Sequence, residues 1–369
     1  MTTQTAIKNY KAFSNDLKGA FLERDIEIDI LLTAMIAKKS AVFVGEPGTA
    51  KSLLLRVIAQ GLSKNYFECQ LNPYTVPDDI IGHFSLKELK ENDRRVRKTK
   101  GKIADSVIAY LDEVFSGNRG TQQSIQKIMN EKVVEIGEGV EKAIPLELLV
   151  GASNQYPTDT RLAAAWDRWI FRRHVSNNLS DKSFERLLLD HGSIGKINKS
   201  VTLKDIAKIR SLSDNVDIKP VIEDLFEIRG YLKFKGIEIS NRRWVHVADI
   251  IRSRSAMDGR DVAEQKDLKI LSEVLWIKPE DRSDVASKIA ELVAGELMKA
   301  MKIEQAAREA YDVVVNTTDI KLIGKKNREI KKMLQELEEL HASDSEIEPI
   351  LNRVQDLKKA IATKIMEAV

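Results

Sequence analysis

Eight consecutive residues, Gly45-Glu46-Pro47-Gly48-Thr49-Ala50-Lys51-Ser52, constrain this chain more than any other stretch. An apolar run, Ser40-Ala41-Val42-Phe43-Val44, precedes them and reads as a short buried strand, and residues 52–62 follow with helical spacing. A glycine-rich turn between a strand and a helix start lets successive backbone N–H groups and the positive helix end face a phosphate. In such a loop Lys51 reaches the β- and γ-phosphates of a bound nucleoside triphosphate, and Ser52 ligates Mg²⁺. An ordinary glycine-rich turn is the plainer reading, and the strand-loop-helix context weighs against it. Ala50 stands where the strict pattern has glycine, so its methyl group is expected to require negative φ there.

The same alternation continues beyond the loop. Residues 106–111 and 146–152 read as strands, which implies an α/β core with a parallel sheet. Apolar residues recur at helical spacing over 17–39. Beyond about residue 190 strand-like runs fade, and 221–230, 242–256 and 265–276 read as short amphipathic helices. From 284 onward three longer helices are expected, to about 315, over 320–341, and from 345 to the end, with Ser345 and Glu348 able to form a capping box. The last two carry loose heptad seams, Ile330, Leu334, Leu337 and Leu340 against Ile347, Leu351, Val354, Leu357, Ile361 and Ile365. The expected domains are 1–190 (nucleotide-binding), 191–283 (all-α lid) and 284–369 (helical extension).

Three further groups carry chemistry. The run Val107-Ile108-Ala109-Tyr110-Leu111 ends in Asp112-Glu113, so Asp112 is placed to hold Mg²⁺ through water and Glu113 to orient and polarise an attacking water. A strand over 148–153 ends at Asn154, whose amide can fix that water beside the γ-phosphate; an asparagine after a strand is otherwise a turn former. Arg168, in Trp166-Asp167-Arg168-Trp169, is the candidate arginine finger for a neighbouring subunit's γ-phosphate, with Arg172 and Arg173 as rivals. In Ser240-Asn241-Arg242-Arg243-Trp244, Arg242 is preferred over Arg243 as a phosphate contact from the lid.

Composition removes other chemistries. A single cysteine, Cys69, permits neither an intrachain disulfide nor a thiolate metal cage, and the five histidines are scattered. Cysteine usage fits a reducing cytoplasm, and no uninterrupted apolar run approaches a spanning helix, so membrane insertion is not expected. The net charge of +3 speaks to solubility and names no partner.

The order of these elements resembles the MoxR branch of the AAA+ ATPases, and within it the RavA type. The stretches that carry the likeness are the loop 45–52, Leu111-Asp112-Glu113, Asn130-Glu131-Lys132, Val150-Gly151-Ala152-Ser153-Asn154, Asp167-Arg168 and Ser240-Asn241-Arg242-Arg243-Trp244. Alanine before the P-loop lysine is common in that branch. The resemblance implies an AAA+ P-loop sheet with an insert in the second helix (78–102), a hairpin at 132–145, an all-α lid and a C-terminal three-helix extension without the β-rich domain of the RavA type. It also implies ATP and Mg²⁺ as ligands, a hexamer with sites at subunit interfaces, a protein client, and a partner with a von Willebrand factor A domain. Two other functions compete: a ring motor on nucleic acid, suggested by the basic run over 94–102, and a nucleotide-gated scaffold. The run lacks the interleaved aromatics of a base-stacking surface.

Overall fold

Every residue of Ala41–Val44 is buried, as a strand covered on both faces requires. The computed structural model describes residues 2–177, 179–190, 193–317, 319–343 and 347–368. Its strands are β1 (Ala41–Val44), β2 (Tyr66–Gln70), β3 (Ile108–Asp112), β4 (Val133–Gly137), β5 (Val140–Ala143), β6 (Leu148–Ser153) and β7 (Phe171–His174). Five of them form one sheet in the order β2-β3-β6-β1-β7, with every pair parallel. All six residues of β6, the central strand, are buried. Gly151 on β6 packs so tightly that an added Cβ would meet the Trp169 ring at 2.9 Å and Val114 at 3.0 Å. Because the strands run the same way, the residues that follow β1, β3 and β6 gather at one end of the sheet.

The helices are α1 (Thr3–Ala20), α2 (Asp25–Ala37), α3 (Lys51–Leu62), α4 (Pro77–Ile81), α5 (Leu86–Asn92), α6 (Arg119–Glu131), α7 (Ala163–Arg168) and α8 (Asp181–Leu189), then α9 (Leu203–Ser213), α10 (Ile222–Phe234), α11 (Asn241–Asp258), α12 (Asp281–Val315), α13 (Ile320–Ser343) and α14 (Glu348–Ala368). The helical spacing over 17–39 resolves into the end of α1 and all of α2, broken where Glu23 turns left-handed. Tyr10 of α1 donates its hydroxyl to Leu32 O of α2 at 2.7 Å, and burial pushes that phenol's pKa up.

The insert expected at 78–102 includes most of α4, all of α5 and the basic run, and it is tied to the β4–β5 hairpin by Arg97 N donating to Ile136 O at 2.8 Å. Part of the run's charge is used internally. Arg97 pairs with Asp78 at 2.5 Å and lies 4.1 Å over the Phe84 ring, while Lys102 donates to Asp79 O at 2.7 Å.

The compact units cut across the expected domain boundaries. One comprises residues 1–217, 239–262 and 273–282; the other comprises 218–238, 263–272 and 283–369. Helices α9 and α11, which fall within the expected lid boundaries, cluster with the sheet and close over α1 and α2. Arg210 of α9 donates to Met35 O at 2.8 Å and pairs with Glu147 at 2.6 Å, and Asp249 of α11 pairs with Lys39 at 2.8 Å. In the second unit, Ile330, Leu334 and Leu337 meet Ile347, Leu351 and Val354 together with Ala300, Ala307 and Ala310, so the expected terminal hairpin packs on α12. Buried Glu304 receives Arg353 on both carboxylate oxygens at 2.8 Å and Arg308 at 2.7 Å. The capping box at Ser345 lies outside the described residues. Among the described residues no helix is long and apolar enough to cross a membrane.

Candidate nucleotide-binding and hydrolysis site

The loop after β1 is held by Gly45 N donating to Ser153 O at 3.0 Å, and it feeds directly into α3 at Lys51. Gly45 has φ 152°, and a Cβ there would strike Val175 O at 2.1 Å, so this position admits only glycine. Lys51 is buried and curls back over the loop, donating to Gly45 O at 2.9 Å, Glu46 O at 2.7 Å and Thr49 Oγ1 at 3.0 Å. Burial lowers its pKa, and the negative charges of Asp112 and Glu113 oppose that shift. The expectation for Ala50 is wrong: its φ is +62° with ψ 20°. The turn into α3 needs a left-handed residue there, and alanine accepts the strain that glycine would avoid.

Asp112 ends β3, and its Oδ1 accepts the N–H of Glu113 at 3.0 Å. Glu113 is left-handed at φ 50°, which turns its side chain out of the strand's alternation. Asn154, the first residue after β6, donates Nδ2 to Glu113 Oε1 at 2.5 Å. Since β6 lies between β3 and β1, the asparagine stands between the acidic pair and the phosphate loop. Lys51, Ser52, Asp112, Glu113 and Asn154 are thus drawn to one end of the sheet, as the sequence predicts. Ser52 and Asp112 are half-buried and offer oxygen atoms, and Mg²⁺ is commonly bound through one or two such side chains with waters and substrate phosphates completing the shell. The residues therefore fit the metal.

A cavity of about 590 Å³ opens beside the loop, lined by Gly48, Thr49 and Ala50 on one side and Phe21, Leu22 and Phe184 on another. Arg24 braces it, donating to Thr49 O at 3.2 Å and Ser176 O at 3.0 Å. An apolar wall beside a phosphate loop suits a purine base.

The arginines lie elsewhere. Ser40, just before β1, donates its hydroxyl to Arg168 O at 3.1 Å, so Arg168 sits at the start of β1 and the phosphate loop at its end, about 13 Å of strand away. Arg168 is therefore remote from its own chain's loop. Its rivals are committed. Arg172 is fully buried, donates to the carbonyls of Trp166 and Trp169, and lies 4.7 Å from the Trp166 ring, while Arg173 pairs with Glu27 and Glu273, each at 2.9 Å. Arg243 is buried and held by Asp167 at 3.2 Å. Arg242 is exposed, donates to Asn130 Oδ1 at 2.9 Å, and shares with Arg168 a cavity at the other end of β1 from its own chain's phosphate loop. Sequence reasoning did not single out Lys38 or Lys132, which line this same cavity. Each caps a helix end in left-handed backbone, where glycine or asparagine is usual.

A parallel sheet in this strand order, with its phosphate loop, acidic pair and asparagine on adjoining strands, is the α/β architecture of an AAA+ ATPase. Family models agree. A model described as the MoxR domain of the MoxR-vWA-beta-propeller ternary systems matches residues 8–214, and an AAA lid domain model matches 220–289. The chain belongs to the MoxR family of AAA+ ATPases. An uncharacterized protein of Methanocaldococcus jannaschii is 34% identical over 93% of this chain and 91% of its own length. Chaperone MoxR1 of Mycobacterium tuberculosis is 22% identical over 70% of this chain and 72% of its own. A solved Cytophaga hutchinsonii structure, described as a candidate ATPase, superposes with a TM-score of 0.63 at 19% identity, covering 79% of this chain and 96% of that one, a likeness of fold.

Proposed function

We propose that the protein hydrolyses ATP in a Mg²⁺-dependent reaction at sites shared between subunits of a homo-oligomeric ring, most simply a hexamer. The observation that carries the hydrolytic part is the Asn154–Glu113 hydrogen bond, at the same end of the sheet as the phosphate loop. Glu113 accepts a proton from the attacking water as it aligns with the γ-phosphate, and Asn154 restrains both the carboxylate and that water. Lys51 exchanges its loop carbonyls for phosphate oxygens, and the N–H groups opening α3 cradle the β-phosphate. Ser52, and Asp112 through water, would hold Mg²⁺, which would supply charge neutralisation to the phosphates. Arg168 completes the site of the adjacent subunit, because its position at the far end of β1 favours action in trans, and Arg242 works from the same edge.

The family supports a chaperone-like remodelling role on a protein client in the cytoplasm. The description of the matching model supports a partner with a von Willebrand factor A domain, and it favours that ternary-system subgroup over the RavA type. A nucleic-acid motor is less well supported, since Arg97 and Lys102 of the basic run are used within the fold. A scaffold indifferent to hydrolysis has no use for the Glu113–Asn154 pair. The test is Glu113→Gln: nucleotide binding should persist while kcat falls by about 10²–10⁴. Hydrolysis at the wild-type rate in this variant refutes the assignment.

A further inference from the structure

The cavity that holds Arg168 has a volume of about 230 Å³ and carries more positive charge than one arginine finger requires. Six basic side chains line it besides His246: Lys38, Lys39, Lys132, Arg168, Arg242 and Arg243. Two of these are neutralised, Lys39 by Asp249 at 2.8 Å and Arg243 by Asp167 at 3.2 Å. Among the described residues Lys38, Lys132, Arg168 and Arg242 form no ion pair. The Nε of Arg168 is also buried without a hydrogen-bond partner. Lys38 and Lys132 both sit in left-handed backbone, at φ 53° and 56°, at the ends of α2 and α6. Strained lysines at two helix ends, aimed with two arginines into one hollow, form an arrangement that like-charge repulsion opposes and that an entering anion stabilises. Burial already lowers the Lys132 pKa to about 8, opposed by Glu147 and assisted by Lys38 and Lys39.

We infer that this hollow receives the terminal phosphates of ATP held by a neighbouring copy of the chain, and that Lys132 is a catalytic cation beside Arg168. The inference rests on the shared-site reading above and adds a second ligand to it. The chain's own nucleotide is separated from the hollow by the length of β1. A compact hollow suits a phosphate terminus, whereas a single-stranded nucleic acid is tracked along a groove with stacking aromatics. Lys132 gains its full charge when the γ-phosphate arrives, because a dianion within contact distance favours the ammonium form.

The test compares Lys132→Met, Lys132→Arg and Arg168→Ala, each alone and mixed with Lys51→Ala, which lacks a working loop but keeps this edge intact. Lys132→Met should lose about 10- to 100-fold in ATPase rate, the loss of one charged hydrogen bond to the reacting phosphate. Its thermal stability and its binding of a fluorescent ATP analogue should be unchanged, and Lys132→Arg should retain most activity. Mixed with Lys51→Ala it should recover up to about a quarter of wild-type activity, the share of heterologous interfaces that pair an intact loop with an intact edge. Recovery by Arg168→Ala with unimpaired Lys132→Met would remove Lys132 and leave the shared site standing. Recovery by Arg168→Ala but not by an impaired Lys132→Met would confine Lys132 to its own subunit and overturn the inference. Failure of both mixtures to recover would remove the shared site and this inference with it. Salt-sensitive retention of single-stranded DNA that Lys132→Met abolishes would assign the hollow to nucleic acid instead.

Discussion

Replacing Ala50 by glycine should make the protein more stable, although it removes a methyl group. Ala50 caps the start of α3 at φ 62° and ψ 20°. Left-handed backbone costs a non-glycine residue roughly 1–2 kcal/mol through the clash of Cβ with the following carbonyl. Glycine removes that cost but enlarges the entropy of the unfolded chain, worth about 0.4–1 kcal/mol in the opposite direction. The net gain is about 0.5–1 kcal/mol, which raises Tm by about 1–4 °C for a unit of this size. Thermal unfolding followed by circular dichroism without nucleotide measures it, with Ala50→Val as the counter-test. A β-branched residue suffers more at positive φ, so valine should lower Tm. An unchanged or lower Tm for Ala50→Gly, or a neutral valine, would refute the claim that this loop stores strain.

Two further outcomes follow from the site and from the helical unit. Asn154→Ala frees the Glu113 carboxylate from its 2.5 Å hydrogen bond and should lower kcat by about 10–100-fold with nucleotide affinity kept, as single-turnover and binding measurements would show. Hydrogen bonds from Arg353, then Arg308, hold the Glu304 carboxyl at about 2, against burial, which raises it. A depressed carboxylate stabilises the fold above its unfolded value near 4.3, and that stability is lost as pH falls toward 2. Glu304→Gln should therefore cost about 1–2 kcal/mol at neutral pH, discounted because both arginines are half exposed, and the difference from wild type should shrink between about pH 4.3 and 2 in denaturant titrations.

The sheet and the hydrolytic residues were legible because both faces of parallel strands are covered, so each strand reads as an unbroken apolar run with its chemistry at the end. Asp112, Glu113 and Asn154 are positioned by strand order alone, and a sequence can carry that. Arg242 is positioned by α11 closing over α2 and α9, a matter of contacts far apart in the chain. Helical periodicity shows which face is apolar and not what covers it. The same reason explains the compact units, where α9 and α11 cluster with the sheet although the lid model over 220–289 includes α11. Ala50 was misread because a helix start can be entered with either sign of φ, and residue type alone weighed against the left-handed one. No sequence pattern marks a role for Lys132, since the hollow exists only once α2, α6, α7 and α11 come together.

The shared site is tested most directly by mixing Lys51→Ala with Arg168→Ala and measuring steady-state ATP hydrolysis against total protein concentration. Each variant alone should be inactive, Lys51→Ala for want of a phosphate-binding lysine and Arg168→Ala for want of a finger on its neighbour. The mixture should regain up to about a quarter of wild-type activity, rising cooperatively with concentration as rings form. Normal hydrolysis by Arg168→Ala, or activity independent of protein concentration, would contradict it.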